Sequence, residues 1–158
     1  MKKILVIYYS QTGQLKEVVD SILGPVIKSH DISVAYEELK PQPPYPFPWT
    51  AYQFCDVFAE SAVEAPCRLQ PLACNPDEDY DLIILAYTVW YLSPSIPVTA
   101  FLQSDQAQKI LPGRPILTVI GCRNMWLLAQ EKVKLRFFKN FPQTRNLEPG
   151  YQSRRALR

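Results

Sequence analysis

The chain has one histidine and four cysteines among 158 residues, and no two cysteines stand in CxxC spacing. A structural zinc site needs four such ligands at short, regular intervals, so no metal site is expected. No apolar stretch approaches the ~20 residues that span a bilayer, which argues against a membrane protein. At the amino terminus, Met1-Lys2-Lys3 is followed by six apolar residues, 4–9, without a small-residue cleavage site. That segment reads as a buried first strand, not a secretion leader. Cys55, Cys67, Cys74 and Cys122 are therefore expected to be reduced thiols in a cytoplasmic chain.

Strong charge of either sign is also missing overall, the net value being +2, but the balance is uneven along the chain. Residues 1–131 hold 9 Lys/Arg against 14 Asp/Glu, and residues 132–158 hold 8 against 1. A basic tail is one way to meet an anionic partner. Here it reads better as a truncated or altered ending than as a nucleic-acid or membrane patch, so neither partner is expected. With 47% hydrophobic and 20% charged residues, the length suits a single domain.

Three apolar runs, at residues 4–9, 82–87 and 116–120, lack the alternation of half-exposed strands. Continuous runs of that kind are typical of parallel strands covered on both faces. Residues 32–38 do alternate, as an edge strand would. Between the first run and this one, Leu15, Val18, Val19, Ile22, Leu23 and Val26 repeat at helical spacing. Gly24-Pro25 is expected to bend or stop that helix. Helical patterns also follow the other two runs, one from Ile96 to Ile110 and one from Met125 to Phe137. Strand–helix alternation predicts βαβ units and an α/β doubly wound parallel sheet. Residues 41–76 hold eight of the fifteen prolines. They predict an ordered loop pinned by Tyr45, Phe47 and Trp49, then a short helix at residues 52–58.

Ligands of such sheets bind beyond the carboxyl ends of the strands, where the strand order reverses. That rule singles out three loops. In the first, Ser10-Gln11-Thr12-Gly13-Gln14-Leu15 links a buried strand to a helix. Hydroxyls, a flexible glycine and free N–H groups at a helix start can cradle a phosphate. The same residues also suit a polar turn in which Ser or Thr caps the helix. The loop is neither a Walker A sequence nor GxGxxG. The second loop runs through Thr88, Val89, Trp90 and Tyr91 to Ser93-Pro94-Ser95-Ile96-Pro97. The third is Gly121-Cys122-Arg123-Asn124-Met125-Trp126, in which Asn124 is placed to cap the following helix. His30 lies far from these strand tips and makes a poor general base.

Ser10, Thr12 and Gly13 match the flavin mononucleotide (FMN) loop of the flavodoxin-like family, Ser/Thr-x-Thr-Gly-x-Ser/Thr, with Leu15 replacing the last hydroxyl. One neutral hydrogen bond fewer weakens such a site by about 1 kcal/mol. The second loop resembles the segment that holds the isoalloxazine ring in quinone-reductase-like members. That likeness implies an aromatic wall from Trp90 and backbone N–H groups of Trp90 and Tyr91 at the ring's polar edge. The third loop lies where the family has its second flavin-contacting loop. Gly121 would permit close approach there, Cys122 would follow it, and Arg123 would bring positive charge near the ring or an anionic substrate.

The blocks MKKILVIYYSQTGQ, PYPFPW, YLSPSIP and VIGCRNMW resemble the flavodoxin-like proteins labelled dialkylresorcinol condensing enzyme, over residues 1–135. The resemblance implies FMN as cofactor, a small apolar cyclic or quinone-like substrate, a ketosynthase as pathway partner and a homodimer. Carbon–carbon condensation requires an activated nucleophile such as a Cys with a His base, and no convincing pair is present. Two-electron oxidation of a cyclohexanedione to a resorcinol suits a flavin better. The alternatives are an electron carrier, which a pI near 8.3 disfavours, and a flavin-free partner subunit. A flavodoxin-like sheet has strand order 2-1-3-4-5. Only four strands are expected, at residues 2–9, 32–38, 82–87 and 116–120. Residues 1–138 would form the domain in order 2-1-3-4, with the fifth strand missing and residues 139–158 an irregular basic tail.

Overall fold

The computed structural model describes residues 1–140 and the backbone of residues 146–147. In chain order it comprises β1 (Lys2–Tyr8), α1 (Gln14–Ile27), β2 (Ile32–Glu38), α2 (Ala51–Ala62), β3 (Leu82–Trp90) and β4 (Ser93–Pro94). There follow α3 (Ile96–Leu102), α4 (Asp105–Ile110), β5 (Ile116–Gly121), α5 (Trp126–Asn140) and β6 (Asn146–Leu147). Five strands form a parallel sheet in the order β2-β1-β3-β5-β6, and β4 pairs antiparallel with β3.

Period-two alternation of the strands divides the core between the two sheet faces. On one face, Leu5, Ile7, Ile83, Leu85 and Tyr87 pack with Phe101 of α3, Ile110 of α4 and Val133 of α5. On the other, Ile4, Val6, Ile84 and Ala86 pack with Leu15, Val19 and Leu23 of α1. A chain of buried polar contacts crosses the first face, where Tyr87 Oη donates to Gln130 Oε1 (2.7 Å) and Gln130 Nε2 donates to Thr118 Oγ1 (3.1 Å).

Several expectations change. Pro25 does not stop α1, which continues to Ile27. A proline so near the helix end removes one bond while only two residues follow it. The helix sought between Ile96 and Ile110 is two. Ser104 ends the first by donating to Phe101 O (2.7 Å) and caps the second by accepting from Ala107 N (3.2 Å). The fifth strand is not missing: Asn146 and Leu147 pair with Ile116 and Leu117, completing the expected order with a two-residue strand. Two residues carry no readable hydrophobic period, which is why the sequence does not announce them. Residues 139 and 140 belong to α5, and the rest of the supposed irregular tail, apart from β6, lies outside the described residues.

Glu37, buried at the end of β2, anchors the proline-rich segment. Its carboxylate accepts from Ala73 N (3.2 Å) and Cys74 N (2.6 Å). Pro41 and Leu69 form an isolated antiparallel bridge. The short helix is longer than expected, because a capping box between Thr50 and Gln53 starts it at Ala51. Tyr45 and Trp49 pin the loop as expected, but Phe47 is 64% exposed and does not.

Candidate functional site

The ends of β1, β3 and β5 open onto a cleft of about 590 Å³. Eleven of the thirteen residues singled out in the loops line it: Ser10, Gln11, Thr12, Gln14, Leu15, Thr88, Val89, Trp90, Gly121, Cys122 and Arg123. Its size falls within the range of small-molecule sites. Val18 and Ile120 complete the lining. Both sit inside regular elements, so a reading confined to loops passes over them.

Gly13 precedes α1 at φ 85°, a left-handed turn that a glycine makes without strain, and no side chain caps the helix from there. Instead Ser10 Oγ accepts from Lys16 N (3.3 Å), and Gly13 O accepts from Glu17 N (3.1 Å). The N–H groups of Gln14 and Leu15, at the first two helical positions, are left without intrahelical acceptors. Gly13 thus shapes the cradle through its backbone without lining the cleft. Gln11 Nε2 donates to Pro46 O (2.9 Å), tying this loop to the proline-rich segment. Leu15 is more than a hydroxyl lost. Its side chain is 4% exposed and belongs to the α1 core. A Cβ on Gly121 would lie 3.3 Å from Leu15 Cδ1 and 3.4 Å from Thr88 Cγ2, so glycine at 121 leaves room for both side chains.

Thr88 Oγ1 is buried in the cleft wall without a hydrogen-bond partner among the described residues. Beyond it, β3 and β4 form a two-residue hairpin in which Val89 faces Pro94 and Trp90 faces Ser93. Its turn is Tyr91-Leu92, at φ 42° and 56°. Positive φ at two successive positions is the type I′ pattern that normally selects Asn or Gly. Tyr91 is carried out of the cleft by this turn and lies over Phe58, ring centroids 3.7 Å apart. Trp90 remains in the cleft and meets three rings edge-to-face: Tyr9 at 5.7 Å, Tyr45 at 5.1 Å and Trp49 at 5.1 Å. Burial, with smaller contributions from Cys67 and Glu38, pushes the Tyr9 phenol up to about 12. Burial raises the Tyr45 phenol as well. Both stay protonated at neutral pH and pack against Trp90, which is the ring of this cluster that lines the cleft.

At the end of β5, Cys122 and Arg123 are exposed on the cleft rim. Helix α5 begins at Trp126, so Met125 (φ 60°), not Asn124, precedes its first residue. Among the described residues, no carboxylate lines the cleft. Elsewhere, burial raises the Cys67 thiol, and burial together with Glu37 pushes Cys74 up to about 12, so neither is a thiolate at neutral pH. His30 is exposed and remote from the cleft. Among the described residues, no group of three or more His, Cys, Asp or Glu is placed to hold a metal. None of their helices is long and apolar enough to cross a membrane.

Neither a family model nor a curated protein matches this chain. Solved structures do. One is a flavoprotein from Lactobacillus acidophilus NCFM in complex with FMN, at TM-score 0.67 and 19% identity, covering 93% of this chain and 91% of that one. A second is flavodoxin 1 from Bacillus cereus, at TM-score 0.52 and 15% identity, covering 96% and 88%. A third is the Fusobacterium nucleatum flavodoxin bound to flavin mononucleotide, at TM-score 0.52 and 13% identity, covering 98% and 76%. At these identities the likeness establishes the fold: a flavodoxin-like α/β sheet.

Proposed function

We propose that this chain binds FMN in the cleft at the ends of β1, β3 and β5 and acts as an oxidoreductase on an apolar cyclic substrate. The observation that carries the reading is the convergence of those three loops on one cleft. An open helix start lies on one side of it and an unpartnered hydroxyl, Thr88 Oγ1, on the other. Structural neighbours that bind FMN support it. The free N–H groups of Gln14 and Leu15 and the Thr12 hydroxyl would hold the phosphate. Trp90, Gly121 and the backbone of Cys122 would flank the ring, and Arg123 would supply positive charge at the rim. Bound there, FMN supplies two-electron hydride chemistry.

Within this reading, the substrate is a cyclic dione that is oxidised to the aromatic ring. Trp90 supports that choice, because it gives the cleft an aromatic wall, and Tyr9, Tyr45 and Trp49 pack edge-to-face against it and hold it in place. An electron carrier would dock a basic partner through acidic groups around its flavin. Among the described residues this cleft is lined by Arg123 and no carboxylate, which favours an enzyme.

The test is a titration of the purified chain with FMN, followed by flavin emission and visible absorbance. Binding in the micromolar range is expected. No binding at about 50 μM would overturn the reading and leave the flavin-free alternative. If FMN binds, oxidation of a cyclic 1,3-diketone is expected to outpace NAD(P)H-driven reduction of a quinone.

A further inference from the structure

Trp90 and Val89 border a second, smaller cavity of about 250 Å³. Its other walls are Trp49, Phe54, Val57, Phe58 and Tyr91, and Ser61 of α2 lines it as well. None of the thirteen residues singled out from the sequence pointed to it except Val89, Trp90 and Tyr91, and those were assigned to the neighbouring cleft. The Tyr91-Leu92 turn holds the Tyr91 ring against Phe58 in a backbone conformation that neither residue prefers. Strain of that kind persists where surrounding contacts over-determine it.

Ser61 is 1% exposed and its hydroxyl has no hydrogen-bond partner among the described residues. A buried helical serine ordinarily donates to the carbonyl four residues back, here that of Val57. Ser61 does not, so it carries the cost of an unmade bond in an apolar surrounding. Trp49 Nε1 is a second buried donor without a partner, on another residue of the same lining. Ser61 is one of the residues lining the cavity, so a ligand oxygen that reaches its hydroxyl would supply the missing partner. Because none of the described residues lining the cavity is charged, a charged ligand would be desolvated without compensation. Size narrows the choice further. An apolar cavity of about 150 Å³ accepts benzene, so this one accommodates a single ring with a short substituent.

We infer that this cavity is a binding site for a neutral six-membered ring bearing a phenolic hydroxyl or ketone oxygen, with Ser61 as the group that recognises the oxygen. The inference goes beyond the FMN reading and does not require it, although the two sites share Trp90 as a wall.

Two probes that differ only in the oxygen, 4-ethylphenol and ethylbenzene, test it by ligand-observed NMR titration of the full chain without added flavin. The parent is expected to bind 4-ethylphenol about fivefold more tightly than ethylbenzene. Ser61→Ala should erase that preference and retain ethylbenzene, which also reports that the cavity is intact. Two results would overturn the proposal. One is no binding of either probe by the parent at about 5 mM; the other is a phenol preference that survives Ser61→Ala. FMN titration of the same preparation keeps the readings apart. Oxygen-dependent probe binding without FMN binding upholds this site and removes the previous reading. FMN binding without probe binding does the reverse.

Discussion

Leu15 occupies the position at which the flavodoxin-like loop carries its last hydroxyl, yet its side chain belongs to the α1 core. Leu15→Thr therefore exchanges a buried isobutyl group for a smaller polar one. It should cost about 2 kcal/mol in urea denaturation. FMN affinity should not improve, since the Leu15 side chain packs in the α1 core and the position already offers its backbone N–H to the cradle. Tighter FMN binding by that variant would show that the side chain there reaches the phosphate after all. Trp90 is the opposite case, a residue that serves packing and site together. Trp90→Ala removes three edge-to-face contacts. A loss of about 3 kcal/mol of stability is expected. Calorimetric FMN titration should show affinity about tenfold weaker, and unchanged affinity would remove Trp90 from the ring's surroundings.

At the scale of elements, the end of α2 is joined to α5 through one residue. Glu64 follows the helix at φ 55°, where glycine is usual. Its carboxylate pairs with Arg136 and, at 3.3 Å, with Lys132, whose Nζ also donates to Ser93 Oγ of β4 at 2.7 Å. Burial alone would raise the Glu64 carboxyl, but Arg136 and Lys132 outweigh it and hold it below the ordinary 4.5. Its contribution is therefore complete above pH about 4.5 and fades as pH falls through the lowered native value. Glu64→Gln should cost about 1–2 kcal/mol at pH 7 and flatten the acid limb of a stability–pH profile. An unchanged acid limb would show that the pairing adds nothing. The elements also show what sequence can carry. Buried parallel strands read as continuous apolar runs, so β1, β3 and β5 were legible to within a few residues. The place of the Ser10–Leu15 loop at the sheet's carboxyl end was legible because it joins a buried strand to an amphipathic helix, although its residues alone suited a polar capping turn equally well. The β3–β4 hairpin was not, since Tyr91-Leu92 contains none of the residues that announce a type I′ turn. Only contact with Phe58, 33 positions earlier in the chain, reveals where Tyr91 goes. The cavity lined by Ser61 was hidden for the same reason: its walls come together only through that hairpin.

Across the whole molecule, the two sheet faces are covered unequally. Among the described residues, α3, α4 and α5 contribute to one face and α1 alone to the other. Leu85 on the first is fully buried, whereas Leu117 and Val119 on the second are only partly so. Leu85→Ala should cost about 3–4 kcal/mol in urea denaturation, and Leu117→Ala about half as much. Equal losses would mean that something further covers the second face. This imbalance also locates tolerance to change, because polar substitutions at the half-exposed Val18 and Ile22 of α1 remove little buried area.

The edge-to-face meeting of Trp49 and Trp90 has an optical consequence. Two indoles 5.1 Å apart at 82° form a chiral pair of coupled oscillators, whereas Trp126 stands apart and is 44% exposed. Replacing Trp126 with Phe leaves a chromophore whose near-ultraviolet circular dichroism comes largely from a single indole pair. Trp90 borders both the FMN cleft and the Ser61 cavity. Occupation of either site should therefore change the same spectral band, and the chain carries its own dichroic gauge of ligand entry.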